Sequence, residues 1–300
     1  MQPYLFLFLS IFSAAANNLL LHKFANRGLD SMGDILLFNS LCSAAWIFLL
    51  GTAAIVRGGF DLTPESILWG ILYGLVIAIF LLSKMQAMAT GPVSLTSFIG
   101  CSSLLISTAF GVFVLHEEAS IIQAVGVILL CGSLFLIISP KSDGARPSWK
   151  YWCLVFFLGS AATGIIFKLQ QRSEASEFVD EMLIVSAITS CVILAAAAVM
   201  ITKHREHRLP HVPSGALGYI VGCGAVSCIY NRLNITLTGI LPSVVFFPLF
   251  NGSVILISTF AGVFLFREHL NKKQVAGMLT GAAALMLASG TIDSVINIMF

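Results

Sequence analysis

Long runs of low charge alternate with short polar joints along almost the whole chain. The runs fall at about 3–22, 34–56, 66–89, 92–115, 119–138, 151–171, 181–202, 214–238, 241–266 and 272–291. Crossing the hydrocarbon core takes about 20 mostly apolar residues in a helix, so the pattern predicts an all-α integral membrane protein with ten transmembrane helices. The joints carry most of the charge: HKFANRGLD after the first span, PKSDGARPSWK near the middle and KHREHRLPHVP after the seventh. In the first run, Ser13-Ala14-Ala15-Ala16 resembles a signal-peptide cleavage site, but no basic residue precedes the apolar stretch, so it is read as the first helix. The middle joint, with Pro140, Gly144 and Pro147, separates residues 1–140 from 151–300 and leaves 141–150 as a linker.

The two parts resemble each other. Residues 105–126, LISTAFGVFVLHEEASIIQAVG, align without a gap on 256–277, LISTFAGVFLFREHLNKKQVAG, with ten identities in 22 positions. Tyr4, Leu7, Ser13, Ala14 and Ala15 echo Tyr151, Leu154, Ser160, Ala161 and Ala162, and Asp34 echoes Asp180 at the starts of the second and seventh spans. Each part then holds five helices, and an odd number makes the second copy enter the membrane upside down relative to the first. Inverted repeats place a substrate site near the midplane between the copies, where rocking exposes it to each side in turn. A duplication that merely builds a stable bundle is the plainer alternative.

Composition agrees with the pattern. With 58% hydrophobic and 10% charged residues and a mean hydropathy of +0.96, the chain is unlike a soluble domain, which is about a quarter charged. A net charge of +2 gives no field to attract nucleic acid, so the expected partners are the lipid bilayer, a small-molecule substrate and a coupling ion, proton or sodium. The seven cysteines lie in apolar stretches without a CxxC pair and read as small core residues, not metal ligands. His204, His207 and His211 share a polar joint with Lys203, Arg205 and Arg208 and read as solvated, so no metal and no cofactor is expected.

The ten-helix plan, the two five-helix repeats and the repeated Gly111…Glu117…Gln123-x-x-Gly126 and Gly262…Glu268…Gln274-x-x-Gly277 resemble the drug/metabolite transporter superfamily, in its EamA-like branch. The resemblance covers nearly the whole chain. It implies a secondary transporter with the third, fourth, eighth and ninth helices around a central cavity, and it leaves the substrate open among metabolites and drugs.

Polar residues inside the apolar spans are the candidate site. Lys84 and Arg232 each lie about six residues past the centre of their span, roughly 9 Å at 1.5 Å per residue. In inverted copies they sit toward opposite faces, where they could draw in an anionic or zwitterionic solute; snorkelling to the interface is the competing reading, and it is preferred for Lys168. Pro248 and Gly252 interrupt the ninth span, and Gly100 marks its counterpart in the fourth, as a discontinuous binding helix would show; an ordinary proline kink is the alternative. Asn251 and Ser253, with Ser97 and Ser102, would supply polar contacts there. Asn17, Tyr230 and Asn234 add hydrogen-bonding groups that serve either a ligand or a neighbouring helix. Glu117 and Glu268 follow the fourth and ninth helices and read as caps for the helix that comes next. Gly70-x-x-x-Gly74, Gly218-x-x-x-Gly222 and Gly277-x-x-x-Gly281 read as sites of close helix packing.

These features predict a secondary active transporter of the cell (plasma or inner) membrane, moving a small organic metabolite by alternating access. An exporter of lipophilic or cationic compounds is the rival, weakened because all fourteen acidic residues fall in joints or near span ends. No catalytic histidine or carboxylate pair lies at depth, so an enzyme is not expected. Basic residues cluster in the joints after spans one, five, seven and nine, which puts both termini outside the cytoplasm; eukaryotic relatives in the superfamily have both termini in the cytosol, and the two orientations stay open.

Overall fold

A computed structural model describes residues 2–25, 31–90, 96, 99–100, 102–137, 147–205, 207–266 and 272–288. They form ten helices and no strands: α1 Gln2–Ala25, α2 Met32–Arg57, α3 Pro64–Thr90, α4 Leu104–Ala109 with a π-helical turn at Phe110–Val114, α5 Ile121–Ile137, α6 Trp149–Gln171, α7 Val179–Arg205, α8 Leu217–Ile240, α9 Ser243–Phe266 and α10 Lys272–Ala288. Helices α1, α2, α3, α6 and α7 are long and apolar enough to cross a bilayer, and α4, α5, α9 and α10 hold shorter apolar stretches. The protein is a helical membrane protein. Its outer face carries large apolar side chains such as Phe48, Phe113 and Leu279, as contact with lipid tails requires.

Local chemistry starts and stops these helices. Ser31 caps α2 by accepting from Asp34 N–H at 3.2 Å, and Gly58, with φ 105°, ends it in a left-handed turn that few other residues adopt. Thr63 and Ser66 exchange side-chain and backbone hydrogen bonds ahead of α3, with Pro64 at its first position. Ser120 and Gln123 form the same reciprocal box at the start of α5.

Helices α2 and α7 run antiparallel along one flank, and α5 and α10 along the other. The direction follows from the contacts. Arg57, the last residue of α2, pairs with Asp180 near the start of α7, while Asp34 near the start of α2 pairs at 2.5 Å with Arg208, beyond the end of α7. Gly126 near the start of α5 meets Ala284, Leu287 and Ala288 at the end of α10. Several of the other close pairs exchange under a shift of five helices: α3 packs on α6 and α7, α8 on α1 and α2, α1 on α9 and α4 on α6. Gly74 approaches the α7 backbone at Ser186, and Gly224, 150 residues later, approaches α2 at Cys42. Close packing also holds at Gly70 and Gly281, whereas Gly218 faces open space and Gly222 meets only Leu20 of α1, at an ordinary 3.7 Å.

Candidate functional site

Between these flanks lies a chamber with two adjoining compartments. The first, about 180 Å³, is walled largely by aromatic rings: Tyr73 and Phe80 from α3, Phe167 from α6, and Phe246, Phe247 and Phe250 from α9. Helices α4 and α8 complete it. The second, about 280 Å³, is walled by Asn17 and Asn18 of α1, Asn39 and Trp46 of α2, Lys84 of α3 and Asn251 of α9. Ile77, Phe80, Tyr230, Phe250 and Asn251 line both, so the two compartments adjoin. Together the compartments match the few hundred cubic ångströms of a small-molecule site.

Helix periodicity puts these side chains together. Ile77, Phe80 and Lys84 share one face of α3, and Tyr230 with Asn234 share one face of α8. α8 is 24 residues long, yet it is not among the strongly apolar helices, because Ser227, Asn231 and Asn234 occupy its inner face, where they are buried. Each makes a hydrogen bond to a different neighbour or its side chain: Trp46 donates to Ser227 at 2.9 Å, Tyr73 to Asn231 at 2.7 Å and Ser10 to Asn234 at 2.6 Å. A buried amide would otherwise cost free energy, so these pairs fix α8 against α1, α2 and α3.

Next to Phe167, which lines the aromatic compartment, α6 carries one partner of a buried ion pair. Lys168 Nζ on α6 donates to Glu117 Oε1 at 2.7 Å and to the Leu241 carbonyl at 2.8 Å, and the backbone N–H of Ser243 donates to Glu117 Oε2 at 2.6 Å. Arg172 adds a longer contact at 3.3 Å. The two principal side chains are almost covered, with 4% of Lys168 and 9% of Glu117 exposed. The π-helical turn prepares this contact. After it, Glu117 N–H donates to the Gly111 carbonyl at 3.0 Å, with His116 in the left-handed region at φ 53°, which swings the Glu117 carboxylate onto the first turn of α9. Gly111 permits the approach, since a Cβ there would lie 2.2 Å from Ser243 Oγ. Burial alone would raise the Glu117 carboxyl, but Lys168 and the Ser243 N–H outweigh it and hold it below the ordinary carboxylate range.

Several expected roles change. Arg232 does not line the chamber: its guanidinium is held by Asp180 at 2.5 and 3.3 Å, which Arg57 also engages. Lys168 does not snorkel, because an acid and a carbonyl satisfy it inside the protein. Glu117 caps α9 and not the next helix, α5, whose first turn Ser120 already serves. Pro248 does not break α9, which runs unbroken from Ser243 to Phe266; Pro248 lacks only its own N–H. Gly252 makes room for Leu285 and Leu130, and Gly100 for Phe156. The irregular helix is the fourth, with a turn at Ser103 after Gly100 and the π-helical turn beyond.

Of the remaining sequence candidates, Lys84, Asn17, Tyr230, Asn234 and Asn251 line the chamber. Ser102 and Ser253 are half-buried outside its walls. Ser97 and Glu268 lie outside the described residues. Sequence reasoning missed Asn39, Trp46 and the aromatic wall, since aromatic residues in apolar spans carry no mark of the side they face.

No family model matches the chain, and no curated protein matches it. Twenty-eight solved chains resemble it; one crystal structure of a protein without a stated role superposes with a TM-score of 0.72 over 96% of this chain and 96% of its own, at 15% identity. The fold is therefore shared with a solved structure of nearly the same extent.

Proposed function

We propose that the protein is a ten-span secondary transporter of the cell membrane, built like the EamA-like drug/metabolite transporters from two inverted five-helix repeats, 1–140 and 151–300. The antiparallel run of α2 with α7 and of α5 with α10, and the exchange of helix pairs under a shift of five, support the repeat. The observation that carries the function is the chamber itself. The nearly covered Glu117–Lys168 pair would shut it at one end, and its lining residues grade from buried Phe246 and Phe247 to half-buried Asn17 and Lys84 and exposed Asn18. A cavity closed on one side and accessible from the other is one state of an alternating-access cycle. Rocking of the repeats would open the Glu117 end and close the opposite one, driven by a proton or sodium gradient.

The charged lining residue Lys84 favours an anionic or zwitterionic solute, whereas the aromatic wall favours a lipophilic one. Purified protein in liposomes, given a labelled solute panel with and without proton and sodium gradients, tests the proposal. Gradient-dependent accumulation of one solute class supports it. A chamber that binds solutes while none crosses the membrane under any gradient would overturn it.

A further inference from the structure

We propose that the aromatic compartment is built for an uncharged monocyclic heteroaromatic that carries a lactam edge, an N–H beside a carbonyl, as a pyrimidine base does. The inference rests on the transport reading only in treating the chamber as the place where the cargo sits.

Size and charge set the first limits. A dry cavity of about 150 Å³ lined by apolar side chains accepts benzene, so a compartment of about 180 Å³ takes one six-membered ring with little to spare. Its surroundings suit a ring: Tyr73 and Phe167 meet edge to face at 4.9 Å, and Phe246 and Phe250 stack at 5.8 Å. None of the described residues that line this compartment carries a charge. An ion entering it would give up its water and find no counter-charge in the wall, so a neutral guest is favoured. Lys84 belongs to the adjoining compartment, where its ammonium lies 6.0 Å from the centre of the Phe80 ring, and the assignment does not use it.

The polar atoms that the protein leaves open in this wall set the next limit. Ser103 donates to Ser160 at 2.7 Å, Ser107 to the Ala161 carbonyl at 3.2 Å and Thr163 to the Gly159 carbonyl at 3.1 Å, so these hydroxyl protons are already engaged. Asn231 is engaged on both sides of its amide, since Oδ1 accepts from Tyr73 at 2.7 Å and Nδ2 donates to the Ser227 carbonyl at 2.8 Å. Asn234 and Asn251 are each engaged on one side. Asn234, only 5% exposed, accepts from Ser10 through Oδ1 at 2.6 Å, and no acceptor among the described residues meets its Nδ2. Asn251 is the reverse: Nδ2 donates to the Phe247 carbonyl at 3.0 Å, and no donor among the described residues meets its Oδ1. Helix α8 thus offers an open donor and α9 an open acceptor to the same one-ring space, with the Tyr230 side chain one turn before Asn234 on the same face. A buried amide atom left unpaired is costly. A lactam edge meets both at once, its carbonyl accepting from Asn234 and its N–H donating to Asn251. A guest that fills so small a space touches most of its wall, so the ring and the edge are recognised together.

The test is binding of radiolabelled uracil to the full chain in lipid nanodiscs, with competition by 2-pyridone, N-methyl-2-pyridone, dihydrouracil and orotate. Saturable uracil binding is expected, with 2-pyridone competing because it keeps one lactam edge. N-methyl-2-pyridone lacks the N–H and should compete about tenfold less well than 2-pyridone, since Asn251 Oδ1 then stays unpaired. Dihydrouracil keeps the edges on a ring that is no longer aromatic and should bind about two- to tenfold more weakly than uracil. Orotate, which is uracil with a carboxylate, should bind at least about tenfold more weakly. Asn251→Leu should narrow the preference for 2-pyridone over its N-methyl derivative to within about twofold; the ligand series on the unaltered chain decides the edge without any variant. No saturable uracil binding, N-methyl-2-pyridone competing as well as 2-pyridone, dihydrouracil or orotate binding as tightly as uracil, or the full preference retained in Asn251→Leu would each overturn the assignment. Counterflow in liposomes is measured separately. Edge-dependent binding without flux refutes the transport reading and leaves the ligand class standing; flux of another solute by a chain that does not bind uracil does the reverse.

Discussion

Replacing Glu117 with alanine should be among the most damaging single changes in the molecule. The carboxylate accepts from Lys168 and from the Ser243 N–H, at 2.7 and 2.6 Å. Without it, a lysine whose side chain is only 4% exposed keeps one acceptor, the Leu241 carbonyl at 2.8 Å. Removing one partner of a buried ion pair costs about 3–5 kcal/mol, chiefly because the other charge stays buried and uncompensated. The first turn of α9 also loses its anion, worth about 0.3–1 kcal/mol. Arg172, about half exposed at 48%, recovers little of this. Lys168→Met in the Glu117→Ala background removes the stranded charge, so the double variant should cost about 2 kcal/mol or more less than the summed single effects. Equilibrium unfolding in mixed micelles, titrated with SDS and followed by tryptophan fluorescence, measures all four corners of the cycle. A cost below about 1 kcal/mol for Glu117→Ala, together with additive single effects, would refute the account of the seal.

The same contact makes a pH prediction. Because the folded Glu117 carboxyl titrates below its ordinary value of 4.5, its contribution to stability is present above that value and is lost as pH falls through the lower folded one; the coupling between Glu117 and Lys168 should therefore persist down to pH 4.5 and fade only in stronger acid, as the unfolding cycle repeated across pH will read. Gly111→Ala puts a Cβ 2.2 Å from Ser243 Oγ and 2.7 Å from Glu117 Oε2, and should cost about 1–3 kcal/mol in the same unfolding assay. Pro248→Ala should not lower the thermal midpoint, because α9 is already continuous through that position and alanine adds an N–H able to reach the Val244 carbonyl. Asp180→Asn should destabilise the protein more than Arg57→Gln, since Asp180 serves two arginines while Arg57 is 59% exposed; paired thermal scans decide it.

Much of this architecture was legible in the chain itself. Ten helices follow from ten apolar runs because lipid leaves the backbone no other hydrogen-bonded form except a closed barrel. Lys84, Asn17 and Tyr230 could be suspected at depth because polar atoms inside apolar spans must face inward. What a sequence shows of a charge is its depth, and the partner that decides its role lies far along the chain. Arg232 meets Asp180 from 52 residues away and Lys168 meets Glu117 from 51, so one candidate ligand is a structural clamp and one expected snorkeller is a buried seal. Glu117 sits at a spacing suited to capping α5, but Ser120 and Gln123 satisfy that helix locally and leave the carboxylate for α9. Pro248 shows the converse, since one missing N–H does not break a helix that is packed along its length.

The central claim is that the Glu117 end opens and closes while the chamber stays in place. Spin labels at Glu118, after α4, and Glu174, after α6, both exposed and in opposite halves of the chain near that end, report it directly through electron–electron distance distributions in liposomes. The account predicts two distances whose populations shift when a transported solute is present. A single distance, the same with every solute and gradient, would contradict it.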